Sequence, residues 1–165
     1  MAKGSLVADN VLPDMKEIDK IDPAIHNDIA RCAELLSVQL IESSLTISPS
    51  FFDAEDGKHG VDFSHVHASF DTKSRITTCI FQFENYKKKD RRKVFSLKDK
   101  FAVFYRVPIE CDEAHAVAFA TKTGVMACYP YFRAHASNIA SLANAEMPIL
   151  PTIASMPMKK GAKND

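Results

Sequence analysis

Apolar positions change period along this chain, and the changes divide it into elements. Residues 1–22 are polar, charged and without period, and read as a flexible N-terminal extension. Asp22-Pro23 then offers an N-cap followed by proline at the first helical position. Ile25, Ile29, Cys32 and Leu36 recur at helical spacing, which predicts an extra helix over 23–36 or its merger into the strand that follows. From Val38 the period shortens towards two. Ile41, Leu45 and Ile47 share a face until Pro49-Ser50 ends the run. A loop over 50–60 carries Phe51-Phe52. Val61, Phe63, His65 and His67 alternate along a second strand, with Phe70 ending it on the opposite face. Cys79, Phe81 and Phe83 alternate with polar positions along a third strand over 76–86. Phe95, Leu97, Phe101, Val103, Tyr105 and Val107 mark a fourth, interrupted on that face by Asp99 and closed by Pro108. The run 87–93 between them holds six bases and one acid, too many charges for a core, and reads as a hairpin tip.

Helical spacing returns in the last third. Glu110, Asp112 and Glu113 supply an acidic first turn. Ala114, Val117, Ala118 and Thr121 form a modest apolar stripe, and Gly124 is placed to end the helix. After a short connector, Tyr129-Pro130 begins a second helix whose stripe is Phe132, Ala136, Ile139 and Ala143. Pro148 and Pro151 bracket Ile149-Leu150 as an extended strap. The order predicts an α+β fold: a four-stranded antiparallel sheet followed by two C-terminal helices, in one domain over 23–155 with a disordered tail over 156–165. The helix and strap need an apolar surface, and the sheet's apolar face provides it.

Composition narrows the classes. Lys plus Arg equals Asp plus Glu at 21 each, so no global basic signature of nucleic-acid binding exists. A chain of this length buries about 70% of its unfolded surface without a metal or disulfide. Cys32, Cys79, Cys111 and Cys128 are scattered singly, the usage of a reducing compartment. No secretory signal and no run near the ~20 residues of a membrane span is evident, so the expectation is a cytoplasmic protein.

Reactive chemistry is sparse. His65 and His67, two apart on a strand, would share a face and be able to ligate one metal. They lack the third ligand and second shell that zinc requires. Cys111, Cys128, His115 and His135 fall near the helices, but sequence proximity sets no geometry. No nucleotide, zinc-protease or nucleophile-elbow motif occurs. The expectation is therefore a non-enzyme with no catalytic residue, metal or cofactor. What stands out is hydrophobicity in connectors: Phe51-Phe52 in the loop, and Met147, Ile149 and Leu150 in the strap. Such groups either fill the core or line a groove for other apolar chains.

The run Tyr129-Pro130-Tyr131-Phe132-Arg133 resembles the aromatic-proline-Tyr-x-Arg helix start of the SecB family of export chaperones. The helix over 134–143 and Pro148-Ile149-Leu150-Pro151 are similar to that family's helix and proline-bracketed strap, and the element order matches over 38–153. The resemblance implies an ATP-independent holdase for unfolded preproteins or other aggregation-prone clients, assembled as a homotetrameric dimer of dimers, with SecA as the receiving partner. It places the client groove at Phe51, Phe52, Phe63, Tyr129, Phe132, Leu142, Ile149 and Leu150. A relative devoted to one partner, such as an antitoxin, or a non-catalytic adaptor domain are the alternatives. The chain departs from the family in its basic run 87–93 and its Lys159, Lys160 and Lys163, where the family carries an acidic sheet face and tail.

Overall fold

A computed structural model describes residues 22–52 and 57–152; Asp22 apart, the extension expected over 1–22 and the tail over 156–165 lie outside the described residues. Asp22 caps helix α1 (Pro23–Cys32), its Oδ1 accepting the Ala24 N–H at 2.8 Å. The helix stops short of the expected Leu36. Ala33 is extended (φ −64°, ψ 138°), and Leu35 is already paired with Tyr105 across the sheet. Strand pairing wins there over another helical turn. Strand β1 (Glu34–Ile47) leads through a single 3₁₀ turn, Pro49–Phe51, to β2 (Lys58–Asp71), β3 (Ile76–Lys89), β4 (Arg92–Arg106) and helix α2 (Glu113–Leu142).

The sheet has the order β1-β4-β3-β2, with every neighbouring pair antiparallel. Strands β2 to β4 form a meander, whereas β1 pairs with β4 at the far edge. Residues directly opposite one another share a face. Thr77, Cys79, Phe81, Phe83 and Asn85 of β3 therefore lie beside Tyr105, Val103, Phe101, Asp99 and Leu97 of β4, and all are buried. This is the single apolar face expected, and α2 packs across it over β2, β3 and β4.

Three bulges shift the outer strands out of simple alternation, the first in β1 between Leu35 and Ser37. In β1 the register slips again between Leu40 and Glu42, leaving Ile41 unpaired at the bulge, while Leu45 and Ile47 lie on the helix side opposite Leu97 and Phe95. In β2 it slips between His65 and His67. His65 then opposes Phe81 on the helix side, while His67 opposes Ile80 on the other side. The shared histidine face is thus removed, and Phe70, opposite Thr77, returns to the helix side. A single extra residue inverts every later position of a strand. The basic tip is also narrower than expected. Only Asp90 and Arg91 form the turn, and Lys87 is buried with its ammonium 5.0 Å from the centroid of the Phe51 ring.

The two helical segments read from the sequence run end to end as the continuous α2, and Asp112 caps its start by accepting the His115 N–H at 2.9 Å. Gly124, expected to end a helix, is buried inside one. A Cβ there would stand 2.6 Å from Cε2 of Phe81 and 2.9 Å from Cγ1 of Val103, so glycine permits the close approach of helix to sheet. Pro130 is likewise internal and leaves the Met126 carbonyl without its usual donor. Flanking burial of Cys128, Tyr129 and Phe132 holds the helix together through that gap.

Acid is expected to destabilise this fold in two stages. Burial lowers the pKa of His26, assisted by Lys122 and His115, that of His59, assisted by Lys87, and that of His65. A depressed histidine pKa means that the unfolded chain binds more protons, so stability is complete above the ordinary value near 6.5 and declines as pH falls through it. The carboxyls of Asp71 and Asp112 are lowered by hydrogen bonds from Ser74 and from His115. Burial pushes Glu84 up, but hydrogen bonds from Lys93 and Ser96 outweigh it and leave the pKa lowered. These groups withdraw their stabilisation below about pH 4. Urea midpoints should therefore fall between pH 7 and 5 and again below 4; a midpoint unchanged between pH 7 and 5 would refute the histidine assignment.

Candidate functional site

Four contacts give the direction of α2 over the sheet. Phe119 meets Tyr105 at 5.2 Å, Gly124 abuts Phe81 and Val103, Phe132 stacks on Phe83 at 5.0 Å, and His135 meets Asp99 at 2.7 Å. The helix therefore climbs from the Tyr105 end of β4 towards the β3–β4 turn. Phe51 lies at that second end, tilted against Phe95 at 5.7 Å. The 3₁₀ turn puts it there: Pro49 starts the turn, and the Ser48 N–H donates to the Val94 carbonyl at 2.9 Å.

After Leu142 the chain reverses. Asn144 takes a positive φ of 49°, and the Ala145 N–H reaches back to the Ala140 carbonyl at 2.9 Å. This left-handed stop replaces the glycine common at helix ends. The strap then runs back beside the helix, since the Tyr129 hydroxyl donates to the Pro151 carbonyl at 2.7 Å. Burial raises the Tyr129 pKa, so its hydroxyl remains the donor near neutrality.

The eight side chains expected to form the groove separate into two groups. Phe51, Tyr129, Phe132 and Leu150 are buried in the main core, and Phe63 is half-buried against it. Tyr129, Phe132, Phe83 and Phe63 form one continuous run of ring contacts. Phe52, Leu142 and Ile149 are instead open to solvent, at 60%, 84% and 82% exposed. Phe52 stands edge-on to Phe51 at 5.3 Å, and Ile149 adjoins Leu150, which is only 5% exposed. Buried rings thus lie next to exposed apolar neighbours at the loop and the strap.

Exposed hydrophobicity is larger than the sequence reading found. Leu35, Leu40 and Leu45 of β1 lie on the helix side, opposite Tyr105, Phe101 and Leu97, yet are exposed. Ile41 is exposed at its bulge, and Met126 and Tyr131 are exposed on α2. The signal for β1 was its leucine content on two phases, which period-two reading averages away.

Reactive chemistry is not assembled. Burial pushes the thiols of Cys79 and Cys128 up to about 12 and raises that of Cys111. His115 bonds Asp112 at 2.5 Å and His135 bonds Asp99 at 2.7 Å, so each imidazole is committed to a carboxylate. Among the described residues no group of His, Cys, Asp or Glu is arranged to hold a metal, and no helix is long and apolar enough to cross a membrane.

No family model and no curated protein matches the chain. Among solved structures it is similar to the SecB-like chaperone Rv1957 of Mycobacterium tuberculosis, described in complex with a ChAD peptide from the Rv1956 HigA1 antitoxin. The TM-score is 0.66 at 18% identity, covering 82% of this chain and 99% of that one. A protein of unknown function from Streptococcus agalactiae matches with a TM-score of 0.39 at 6% identity, covering 72% of this chain and 94% of that one.

Proposed function

We propose that this chain, which has a SecB-like fold, is an ATP-independent holdase that captures extended polypeptide without catalysis or a cofactor. The supporting observation is apolar side chains held in solvent beside a buried core: Phe52 against Phe51, Leu142 at the end of α2, and Ile149 in the strap tied by the Tyr129–Pro151 bond. A client segment laid across them removes apolar surface from water at about 25 cal/mol per Å². Phe51, Phe63, Tyr129, Phe132 and Leu150 act as the floor beneath it. Part of the gain is offset by ordering the client, so distributed contacts of modest strength are the expectation.

Two client classes fit. General capture of unfolded preproteins follows from the exposed, adaptable groups. A single dedicated partner is favoured by the structural neighbour, whose described ligand is an antitoxin peptide. Identification of proteins recovered with the native chain separates them: many preproteins indicate export, one small partner a dedicated role. Under the export reading SecA would be the receiving partner. Glu34, Glu42 and Glu84 on the solvent face of the sheet are paired with Arg106, Lys100 and Lys93. Self-association is assigned to β1, whose free edge carries exposed Leu35, Leu40 and Leu45; an unpaired apolar edge is a template for another strand.

The decisive measurement is suppression of aggregation of a denatured client at near-stoichiometric chaperone. Wild-type protein should suppress it, and failure by the folded chain would end the reading. The triple change Phe52→Ser, Leu142→Ser and Ile149→Ser should weaken client binding about 100-fold, at about 1 kcal/mol net for each lost contact. All three side chains are exposed, so the melting temperature should hold.

A further inference from the structure

The β3–β4 turn gathers positive charge in a way that the apolar client surface does not use. Lys58, Lys88 and Lys93 stand side by side on β2, β3 and β4, and Lys89 faces Arg92 in the next row. Like charges directly opposite one another destabilise a sheet. Protection of an edge accounts for Lys58 on the edge strand β2 alone, because β3 and β4 are the two central strands. The turn adds a second cost. Asp90 and Arg91 have φ of 47° and 68°, the pattern of a type I′ turn, whose second position favours glycine. Arginine occupies it instead, with its side chain in solvent.

Among the described residues local compensation is partial. The ammonium groups of Lys88 and Lys93 lie 4.7 and 4.9 Å from the Tyr86 ring centroid, and Lys93 also bonds Glu84. Gly60 completes the support: a Cβ there would fall 2.4 Å from the Tyr86 ring, so the missing side chain seats the ring that carries the lysines. The platform is built to hold charge outward.

We propose that this end of the sheet is a second interaction surface, for an acidic polypeptide segment of a partner protein. The three lysines span about 10 Å across adjacent strands, and an extended peptide sets alternate side chains on one face about 7 Å apart. Two or three carboxylates therefore fit the row. A nucleic-acid strand fits less well. Tyr86 is covered by two ammonium groups and offers no open ring for a base, and Glu84 and Asp62, opposite one another just behind the row, repel a continuing phosphate track. The turn residues Asp90 and Arg91 supply no apolar wedge for a membrane.

The test is fluorescence anisotropy with a labelled alternating Glu-Gly peptide, against an oligouridine of similar length and vesicles containing phosphatidylserine. Wild-type protein should bind the peptide at about 50 mM salt and about tenfold more weakly at about 300 mM. Lys58→Glu with Lys88→Glu, both in the row, should lose about tenfold or more. The variant Arg91→Gly separates binding from folding: it relieves the left-handed turn position and should melt at a higher temperature, yet with one positive charge fewer it should bind the peptide several-fold more weakly. Absence of peptide binding at low salt, unchanged binding by both variants, or tighter binding of the RNA or the vesicles would each overturn the proposal. Aggregation suppression by both variants should match wild type, so loss of one surface is distinguishable from loss of the other.

Discussion

Replacing Phe83 by alanine is expected to cost about 3–5 kcal/mol of unfolding free energy, the range for emptying a buried aromatic site. Phe83 is fully buried and touches more aromatic neighbours than a single packing layer usually supplies. It stacks on Phe132 at 5.0 Å and meets Phe63, Phe101 and Tyr129 each at 6.1 Å. The change therefore opens a void beneath α2, β2 and the base of the strap together. Collapse around the void is limited because Phe132 is held at one side of Pro130 by helix geometry and Phe101 by pairing with both neighbouring strands. Chemical denaturation should show the midpoint lowered with the slope unchanged; a loss below about 1 kcal/mol would mean that the ring cluster is not the anchor of the helix. Under the proposed holdase reading, the same variant should bind clients poorly even where folded, because the core beside the strap has moved.

His135→Ala is expected to be nearly as damaging, at about 3 kcal/mol or more, for an electrostatic reason. Asp99 is fully buried in the apolar face of β4, and the His135 ring nitrogen at 2.7 Å is its partner from the helix. Its other carboxylate oxygen has no hydrogen-bond partner. Removing the imidazole leaves a carboxyl group in the core with nothing to offset its desolvation. Substituting both members, Asp99→Val with His135→Leu, removes the charge with its partner and should restore most or all of the stability. Thermal melts of the single and double variants decide this. A double variant as unstable as His135→Ala would show that the site needs the shape of the pair rather than its charge.

The sheet was legible where its strands are central. In β3 and β4 one face is buried along most of the length, so alternation held up to the irregularity at Val94 near the turn, and even Asp99 kept its place in the pattern. Strands β1 and β2 lie at the edges, where one neighbour is absent and bulges at Leu36, Ile41 and Val66 are tolerated. Alternation extrapolated through a bulge points each later side chain the wrong way, which is how His67 and Phe70 changed faces. The helix was misread at Gly124 and Pro130 because both residues are local breakers. Their positions are set by long-range contacts, the Phe81 and Val103 side chains under Gly124 and the buried run Cys128, Tyr129 and Phe132 around Pro130, which no local pattern contains. Of the groove, chain order predicts that the loop and strap carry apolar groups. Which side chain of each pair turns inward depends on the 3₁₀ turn and on the Tyr129–Pro151 bond, and these separate Phe51 from Phe52 and Leu150 from Ile149.

The order of the strands has a kinetic meaning. Strands β2, β3 and β4 join through short turns, so their pairing closes small loops and can begin early. Strand β1 must wait: Glu34 pairs with Arg106 and Ile47 with Phe95, across separations of 72 and 48 residues (106 − 34 and 95 − 47). Until it arrives, the long, apolar flank of β4 is vacant. During that interval a newly made chain presents a docking strip to any extended segment nearby, including β1 of another copy. Pulse-labelled hydrogen exchange during refolding should protect the amides of β3 before those of β1, and the delay should shorten or lengthen with protein concentration if copies exchange that strand.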